Sequence, residues 1–295
     1  MTPAWTPVAT PSAASHPEQP RPCGVVSLLT DFGVREPFVG IMKAVMLRQV
    51  AGVQVIDLCH GVPPGSVEIA GFFLERSFGW FPEGTVHCCV VDPGVGSERN
   101  AIAVRARGHF FVAPDNGLLT PLLEAKGEPL VGAGAEFRRI DATRLGLALR
   151  SRTFHGRDVF APVAAALASG QLAFSEVGES LAHLVPAPPT LPVARRDGAC
   201  ARGRVLAVDH YGNLITDLDG AWLEPRARVE VAGRSLRVVG TYSEAEPGEV
   251  VALVNSFEMV EIALRDGSAE RALNVTTGAP TRILYGASGT RESEK

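Results

Sequence analysis

The chain has 295 residues, 46% hydrophobic and 20% charged, with a formal net charge of −4. That length suggests two domains of a soluble globular protein. The slight acidity and the absence of a dense Lys/Arg run argue against nucleic acid as a partner, and no apolar run reaches the roughly 18 residues that a membrane helix needs.

The first 22 residues, MTPAWTPVATPSAASHPEQPRP, are rich in Pro, Ala, Ser and Thr. They lack the basic start and apolar stretch of a secretory signal, so residues 1–23 are expected to be a disordered tail and the protein cytoplasmic. Residues 24–186 then read as an α/β domain. VVSLLT (25–30) is a buried strand. Pro37 suits a first helical turn and opens a helix with Phe38, Ile41 and Val45 on one face. VQVIDL (53–58) is a second strand, and SVEIAGFFLERSF (66–78) a helix with Ser66 as candidate cap. TVHCCVV (85–91) is a third strand and ends at Asp92. AIAVRA and HFFVAP form a strand pair about Arg107 and Gly108. PDNG (114–117) is a turn, and VFAPVAAALASG (159–170) is a helix closed by Gly170. Strands alternating with helices imply a mostly parallel sheet covered on both faces.

Prolines crowd the stretch VPAPPTLPVARRDGA, and residues 187–200 are read as a linker. Residues 201–286 carry short strands (GRVLAVD, NLITDL, RVEVAG, SLRVVGTY, EVVALVN, MVEIAL, TRILY) and no convincing helix, the pattern of a small β-barrel or sandwich. Residues 287–295 form a closing tail. The expected fold is therefore α/β: an N-terminal, mostly parallel domain followed by a small C-terminal β-barrel.

The five cysteines have no CxxC spacing, and Cys88 and Cys89 point to opposite faces of one strand. They read as reduced thiols rather than zinc ligands. Polar groups gather at the strand ends instead: Asp31, Asp57 with His60, and Asp92. Arg99 follows on the glycine-containing loop PGVGSER, and His155 lies in TFHGRD, just ahead of a helix. Taken singly, each has an ordinary structural reading as a cap or turn residue. Together they sit where an open α/β sheet collects its ligands, at the C-terminal ends of the strands. GVGSER is not a phosphate loop, and the spacing lacks the HxH or HExxH pairs of a metal site.

Several long blocks occur in order: LLTDFG, VGIMKAV, DLCHGVPP, FPEGTVHCCVVDPGVGSERN, VAPDNGLLT, TFHGRDVFAPVAA, VDHYGNLIT and NSFEMVEIAL. They closely resemble the S-adenosylmethionine (SAM) hydrolase family, also called SAM hydroxide adenosyltransferases, which is related to the fluorinases and chlorinases. The resemblance runs from about Val25 to Tyr285. It implies an α/β domain followed by a β-barrel, a homotrimer with sites between subunits, no cofactor, no metal, and hydrolysis of SAM to adenosine and methionine. The family's Asp–Arg–His trio falls on Asp92, Arg99 and His155. Halogenases carry tyrosine at the position of Asp92, so the resemblance favours the hydrolase branch.

By the same resemblance, Asp31 binds the ribose hydroxyls, and Phe154 and Gly156 line the pocket near C5′. Asp209 meets the methionine ammonium, Tyr211 stacks on adenine and Asn213 hydrogen-bonds it. Ser256 holds the methionine carboxylate, and Glu261 contacts the amino-acid end or supports the barrel. Phe257 stands where fluorinases place an arginine. Of the trio, Arg99 stays protonated and cannot be the base; His155 can accept the proton near neutral pH, and the sequence leaves open whether it is a true base or only a hydrogen-bond partner.

Overall fold

The structure, a computed structural model, describes residues 20–125, 128–129, 134–186, 194–198 and 200–285. Most of the expected N-terminal tail, residues 187–193 and 199 of the linker, and the closing tail lie outside these residues. The chain divides into two compact units, Met1–Pro188 and Pro189–Lys295.

In the first unit the elements run β1 (Val25–Thr30), α1 (Phe38–Gln49), β2 (Gln54–Cys59), α2 (Val67–Ser77), β3 (Val86–Val90), β4 (Ala101–Ala106) and β5 (His109–Pro114). Next come the short α3 (Thr120–Leu123), β6 (Glu124–Ala125) and β7 (Glu128–Pro129), then β8 (Glu136–Arg139), α4 (Ala161–Ala168) and β9 (Ser180–Leu181). One sheet has the strand order β2-β1-β3-β5-β4-β8-β9. The α/β class is as expected, and the sheet is mixed. The strands β2, β1, β3 and β5 are parallel, whereas β4, β8 and β9 are antiparallel to their neighbours. The tight link at Arg107–Gly108 explains the change, because a two-residue turn can join only antiparallel strands.

The central strands β1, β3 and β5 are buried along their whole length, as strands covered on both faces are, whereas the edge strand β2 is largely exposed. Val26 and Leu28 of β1 and Val86, Cys88 and Val90 of β3 pack with Met42, Met46, Phe160 and Ala164 in one core. The intervening side chains, among them Leu29 and Cys89, are equally buried. Burial pushes both the Cys88 and Cys89 thiols up, so they are inert. Polar groups also enter this interior as a chain, with Ser27 Oγ 2.6 Å from His87 Nδ1 and His87 Nε2 3.2 Å from His109 Nδ1.

Two local expectations change. The fully buried side of α1 is Val39, Met42 and Met46, while Phe38 is exposed and Ile41 and Val45 are half-buried. Ser66 stands at the N-cap position of α2 but makes no side-chain capping bond. At the other end of the chain's first unit, Cys23 of the expected tail donates its N–H to Gly84 O at 3.2 Å.

The second unit contains β10 (Arg195–Asp197), β11 (Cys200–Val208), β12 (Leu214–Asp219), β13 (Arg228–Val231), β14 (Arg234–Arg237), β15 (Val250–Val254), β16 (Met259–Leu264), α5 (Ala269–Leu273) and β17 (Pro280–Leu284). Its antiparallel order is β14-β13-β17-β11-β12-β16-β15, with β10 beside β11. The two ends approach each other where Val239 N–H donates to Ala252 O at 2.9 Å, so the sheet is nearly closed as a barrel. Strand β10 lies in the stretch read as linker. The short helix α5, capped by the Ser268 side chain, was not expected. Among the described residues no helix is long and apolar enough to cross a membrane.

Met46 is fully buried in the α1 face while its neighbour Leu47 is 53% exposed. Met46→Ala is expected to cost about 2–5 kcal/mol in urea unfolding and Leu47→Ala within about 0.5 kcal/mol. Equal effects of the two would show that the buried side of α1 is misassigned.

Candidate active site

Strands β1 and β3 are parallel neighbours in register, Thr30 opposite Val90. The residues that leave their C-terminal ends, Asp31 and Asp92, therefore emerge at the same edge of the sheet. After Asp92 the chain folds back through two successive turns, Val95 N–H to Asp92 O at 3.2 Å and Ser97 N–H to Gly94 O at 3.1 Å. Ser97 Oγ also donates to Gly94 O at 2.7 Å. These turns return Arg99 to the carboxylate it left. Gly96 has φ of +82°, and a Cβ there would lie 2.9 Å from Arg152 O. Only glycine suits both the left-handed backbone and this approach of the loop to the segment before His155.

Arg99 Nε donates to Asp92 Oδ1 at 2.9 Å, and Nη2 donates to Asp92 Oδ2. Nη2 also donates to His155 Nδ1 at 3.1 Å, and Nη1 to Asn100 O at 3.2 Å. The Asp92 and Arg99 side chains are only 5% and 11% exposed. A bidentate pair of this kind is strong and directional, and it cancels a charge that would be costly to bury alone. The guanidinium rests on the Phe160 ring, 5.4 Å from its centroid, a residue the sequence reading did not single out.

The direction of these bonds fixes the protons. Arginine has no acceptor, so His155 Nδ1 must accept from Arg99. The neutral imidazole then carries its hydrogen on Nε2. Burial and the Arg99 charge push His155 below its ordinary value, against smaller opposing effects of Asp92 and Asp158. Of the two roles the sequence leaves open for His155, true base or hydrogen-bond partner, this arrangement favours the second, with an N–H donor on Nε2. Asp92 has both oxygens on Arg99, so none of the three is a free base. The four bonds use four of the five guanidinium N–H groups, leaving one on Nη1.

His155 precedes a π-type turn, Gly156–Phe160, that leads into α4. Asp158 anchors the approach by accepting from the N–H groups of Arg150 and Ser151 at 2.8 and 2.9 Å and from Arg157 Nε at 2.7 Å. A Cβ on Gly156 would meet Met42 Sδ at 3.1 Å, Phe154 at 3.2 Å and Phe32 at 3.4 Å. Phe154 forms edge-to-face contacts with Phe32 and Phe38 at 6.0 and 5.4 Å between centroids. These rings make an apolar wall beside the polar trio. Asp31 accepts from Gly65 N–H through Oδ2 at 2.7 Å, and Oδ1 has no partner among the described residues.

In the barrel unit, Asp209 organises the β11–β12 loop by accepting from the N–H groups of Tyr211 and Asn213 at 2.9 and 2.8 Å and from Asn213 Nδ2 at 3.0 Å. Asn213 is buried, and Tyr211 is 76% exposed. An open hollow of about 250 Å³ is lined by Asp209, Tyr211, Gly212 and Ser268 with their neighbours. Glu261, buried in β16, accepts from Tyr242 Oη at 2.6 Å and from Asn255 Nδ2 at 3.2 Å. Burial raises its carboxyl, with Asp209 adding to the shift, although both hydrogen bonds oppose it. Glu261 lies on the face of β16 opposite Val260 and Ile262, which enter the barrel core, and ties that strand to Tyr242 and Asn255. Tyr242 was not legible as its partner, since nothing in its spacing ties it to β16. Ser256 is exposed in the turn between β15 and β16. Among the described residues no group of three or more His, Cys, Asp or Glu side chains is placed to hold a metal.

The chain matches the SAM hydroxide adenosyltransferase N-terminal domain over residues 26–178 and the C-terminal domain over residues 203–282. The chain belongs to the SAM hydroxide adenosyltransferase family. It is 39% identical over 263 residues to the (R)-S-adenosyl-L-methionine hydrolase of Thermus thermophilus, covering 88% of this chain and 99% of that protein. It is 40% identical to the protein of the same name from Salinispora arenicola, with 88% and 98% covered. The fluorinase of Actinopolyspora mzabensis is more distant, at 26% identity over 88% of this chain and 96% of the fluorinase. The crystal structure of an uncharacterized conserved protein from Thermotoga maritima superposes with a TM-score of 0.79 at 32% identity, covering 88% of this chain and all of that one.

In this member of the family the His155 ring should titrate below the usual histidine value of about 6.5. Arg99→Met removes a repelling charge and should raise the midpoint; Asp92→Asn removes an attracting one and should lower it. NMR of the ring C–H signals reads both shifts. A midpoint indifferent to Arg99→Met would break the assigned contact.

Proposed function

We propose that this protein is an enzyme that hydrolyses S-adenosyl-L-methionine, in the (R) form named for its relatives, to adenosine and L-methionine. The observation that carries this reading is Arg99, held by both oxygens of Asp92 and donating to His155, in a chain 39% identical to an enzyme of that name. The reaction is in-line displacement. A hydroxide oxygen forms a bond to ribose C5′, and the C5′–sulfur electron pair leaves with methionine. The leaving sulfur is a sulfonium that becomes a neutral thioether, so it needs no proton.

The demand therefore falls on the nucleophile. Because no member of the trio is a free base, the trio serves as a hydroxide-binding site. The remaining Nη1–H of Arg99 and the Nε2–H of His155 donate to the oxygen, and a proton lost from water goes to solvent rather than to His155. Asp92 holds the guanidinium in place and offsets its charge, which would otherwise repel the cationic substrate. Hydroxide meeting sulfonium cancels charge in the transition state, so exclusion of water favours the step. Alignment of the oxygen about 3–3.5 Å from C5′, opposite sulfur, contributes several kcal/mol more.

The proposal assigns Asp31 to the ribose hydroxyls and the Phe154 and Gly156 wall to C5′. Asp209 takes the methionine ammonium, Tyr211 and Asn213 the adenine, and Ser256 the methionine carboxylate. Glu261 fixes the barrel beneath Asp209. No cofactor or metal takes part, and the assembly is a homotrimer. The free cysteines fit a reducing, cytoplasmic setting.

Incubation with SAM and mass analysis of the products tests this reading. Adenosine and methionine are expected, unaffected by chloride or a chelator. Asp92→Ala should lower kcat/KM by about 10²–10⁴. His155→Gln, which keeps an N–H donor, should retain more activity than His155→Ala. The logarithm of kcat/KM should climb with pH through the neutral range without levelling at a histidine value. A halogenated nucleoside, or a plateau set by His155, would contradict the mechanism.

A further inference from the structure

Behind Asp31 lies a polar chain that the reaction itself does not use. Thr30, fully buried at the end of β1, has its Oγ1 2.8 Å from His60 Nδ1. His60 is 7% exposed, and its Nε2 lies 3.0 Å from Asp57 Oδ1. The ring N–H is not directed well at that oxygen, so charge and proximity hold the pair more than an aligned hydrogen bond. Asp57 in turn accepts from Lys43 of α1 at 2.6 Å. Burial pushes the Asp57 carboxyl up, but the contacts with His60 and Lys43 outweigh it and bring it below its ordinary value. A carboxylate beside Nε2 favours the tautomer protonated there. Nδ1 is then the acceptor, and the Thr30 hydroxyl donates to it. Phe32 N–H completes the series by donating to Thr30 Oγ1 at 3.3 Å.

The backbone of His60 acts on the same loop. Its carbonyl accepts from Gly33 N–H at 2.9 Å. One residue thus holds Thr30 with its ring and Gly33 with its main chain, on either side of Asp31. The Asp31 side chain is pinned by Gly65 N–H through Oδ2 alone, leaving Oδ1 for a ligand.

We propose that His60 is a positioning residue that sets the Asp31 carboxylate for the vicinal hydroxyls of a ribose, with Thr30 as the link and Asp57 and Lys43 fixing the ring. His60 touches no substrate. It acts by removing the freedom of the loop 30–33, so that Asp31 meets two hydroxyls without first being ordered by them. The inference rests on the reading of Asp31 as the ribose carboxylate.

The test uses the full chain and calorimetric binding of adenosine, 2′-deoxyadenosine and 3′-deoxyadenosine, with melting temperature as a control. The wild type should prefer adenosine by about 10- to 100-fold, since a hydroxyl on a carboxylate is a charge-assisted bond. Asp31→Asn should abolish most of that preference. His60→Ala and Thr30→Val should shrink it to within a few-fold, although neither removes a group that contacts the ribose. His60→Asn, which retains an acceptor, should restore part of it. Thr30→Val keeps the buried shape and decides the matter if His60→Ala does not fold. Variants that melt earlier yet keep the full preference for adenosine would show a merely structural role and overturn the proposal. That result would leave the reading of Asp31 standing if Asp31→Asn alone loses the preference. A wild type indifferent to the missing hydroxyls would sink both.

Discussion

The two hydrogen bonds from Arg99 to the oxygens of Asp92 impose a direction on every group around them. A guanidinium can only donate, so the neighbouring imidazole must accept on Nδ1 and present a donor on Nε2. Asp92 and Arg99 offset each other's charge, so the pair carries no net charge of its own. Removing either partner would strand a charge in a space that is largely closed to water, which is why the pair is best seen as one unit. The loop from Asp92 to Arg99 exists to make that unit. Its two turns return the chain to its starting strand end, and Gly96 lets it touch the segment that carries His155.

The fold behind this unit follows from a sheet whose central strands are covered on both faces. Its parallel strands bring Asp31 and Asp92 to one edge, and the antiparallel strands beyond them complete the sheet. Asp31 is held by the Gly65 N–H, and Asp92 by Arg99. Two carboxylates at one edge therefore have different jobs: one is saturated by a guanidinium, and the other keeps an oxygen free.

Much of this was legible in the sequence where hydrophobic runs and turn residues agree. VVSLLT and TVHCCVV are rich in apolar residues because both faces of these central strands are buried, and short strands separated by turn residues after residue 200 mark the barrel. The side of α1 that is buried was harder to read. Apolar residues occur on two adjacent stripes, and packing against α4 and the sheet selects Val39, Met42 and Met46 over Phe38, Ile41 and Val45. The five-residue α5 is too short to show a period, so it escaped. Within the site, the residue types of the trio and their strand-end positions were visible, but the protonation of His155 was not. It depends on which ring nitrogen meets Arg99, a fact of three dimensions between residues 56 positions apart. His60 stood out only as a polar residue at a strand end, since its partners are spread over three elements.

The π-type turn at Gly156–Phe160 also bears on how this site tolerates change in chain length. Such a turn holds one residue more than the α-helix it interrupts. Loss of a single residue here would let the helix close in regular α form, and everything on its N-terminal side would swing by about 100° around the axis. His155 would leave Arg99 even though every residue of the trio remained in the chain. Gly156, wedged against Met42, Phe154 and Phe32, sits at the start of that turn. The contact between His155 and Arg99 therefore depends on the spacing between His155 and α4 as much as on the histidine itself.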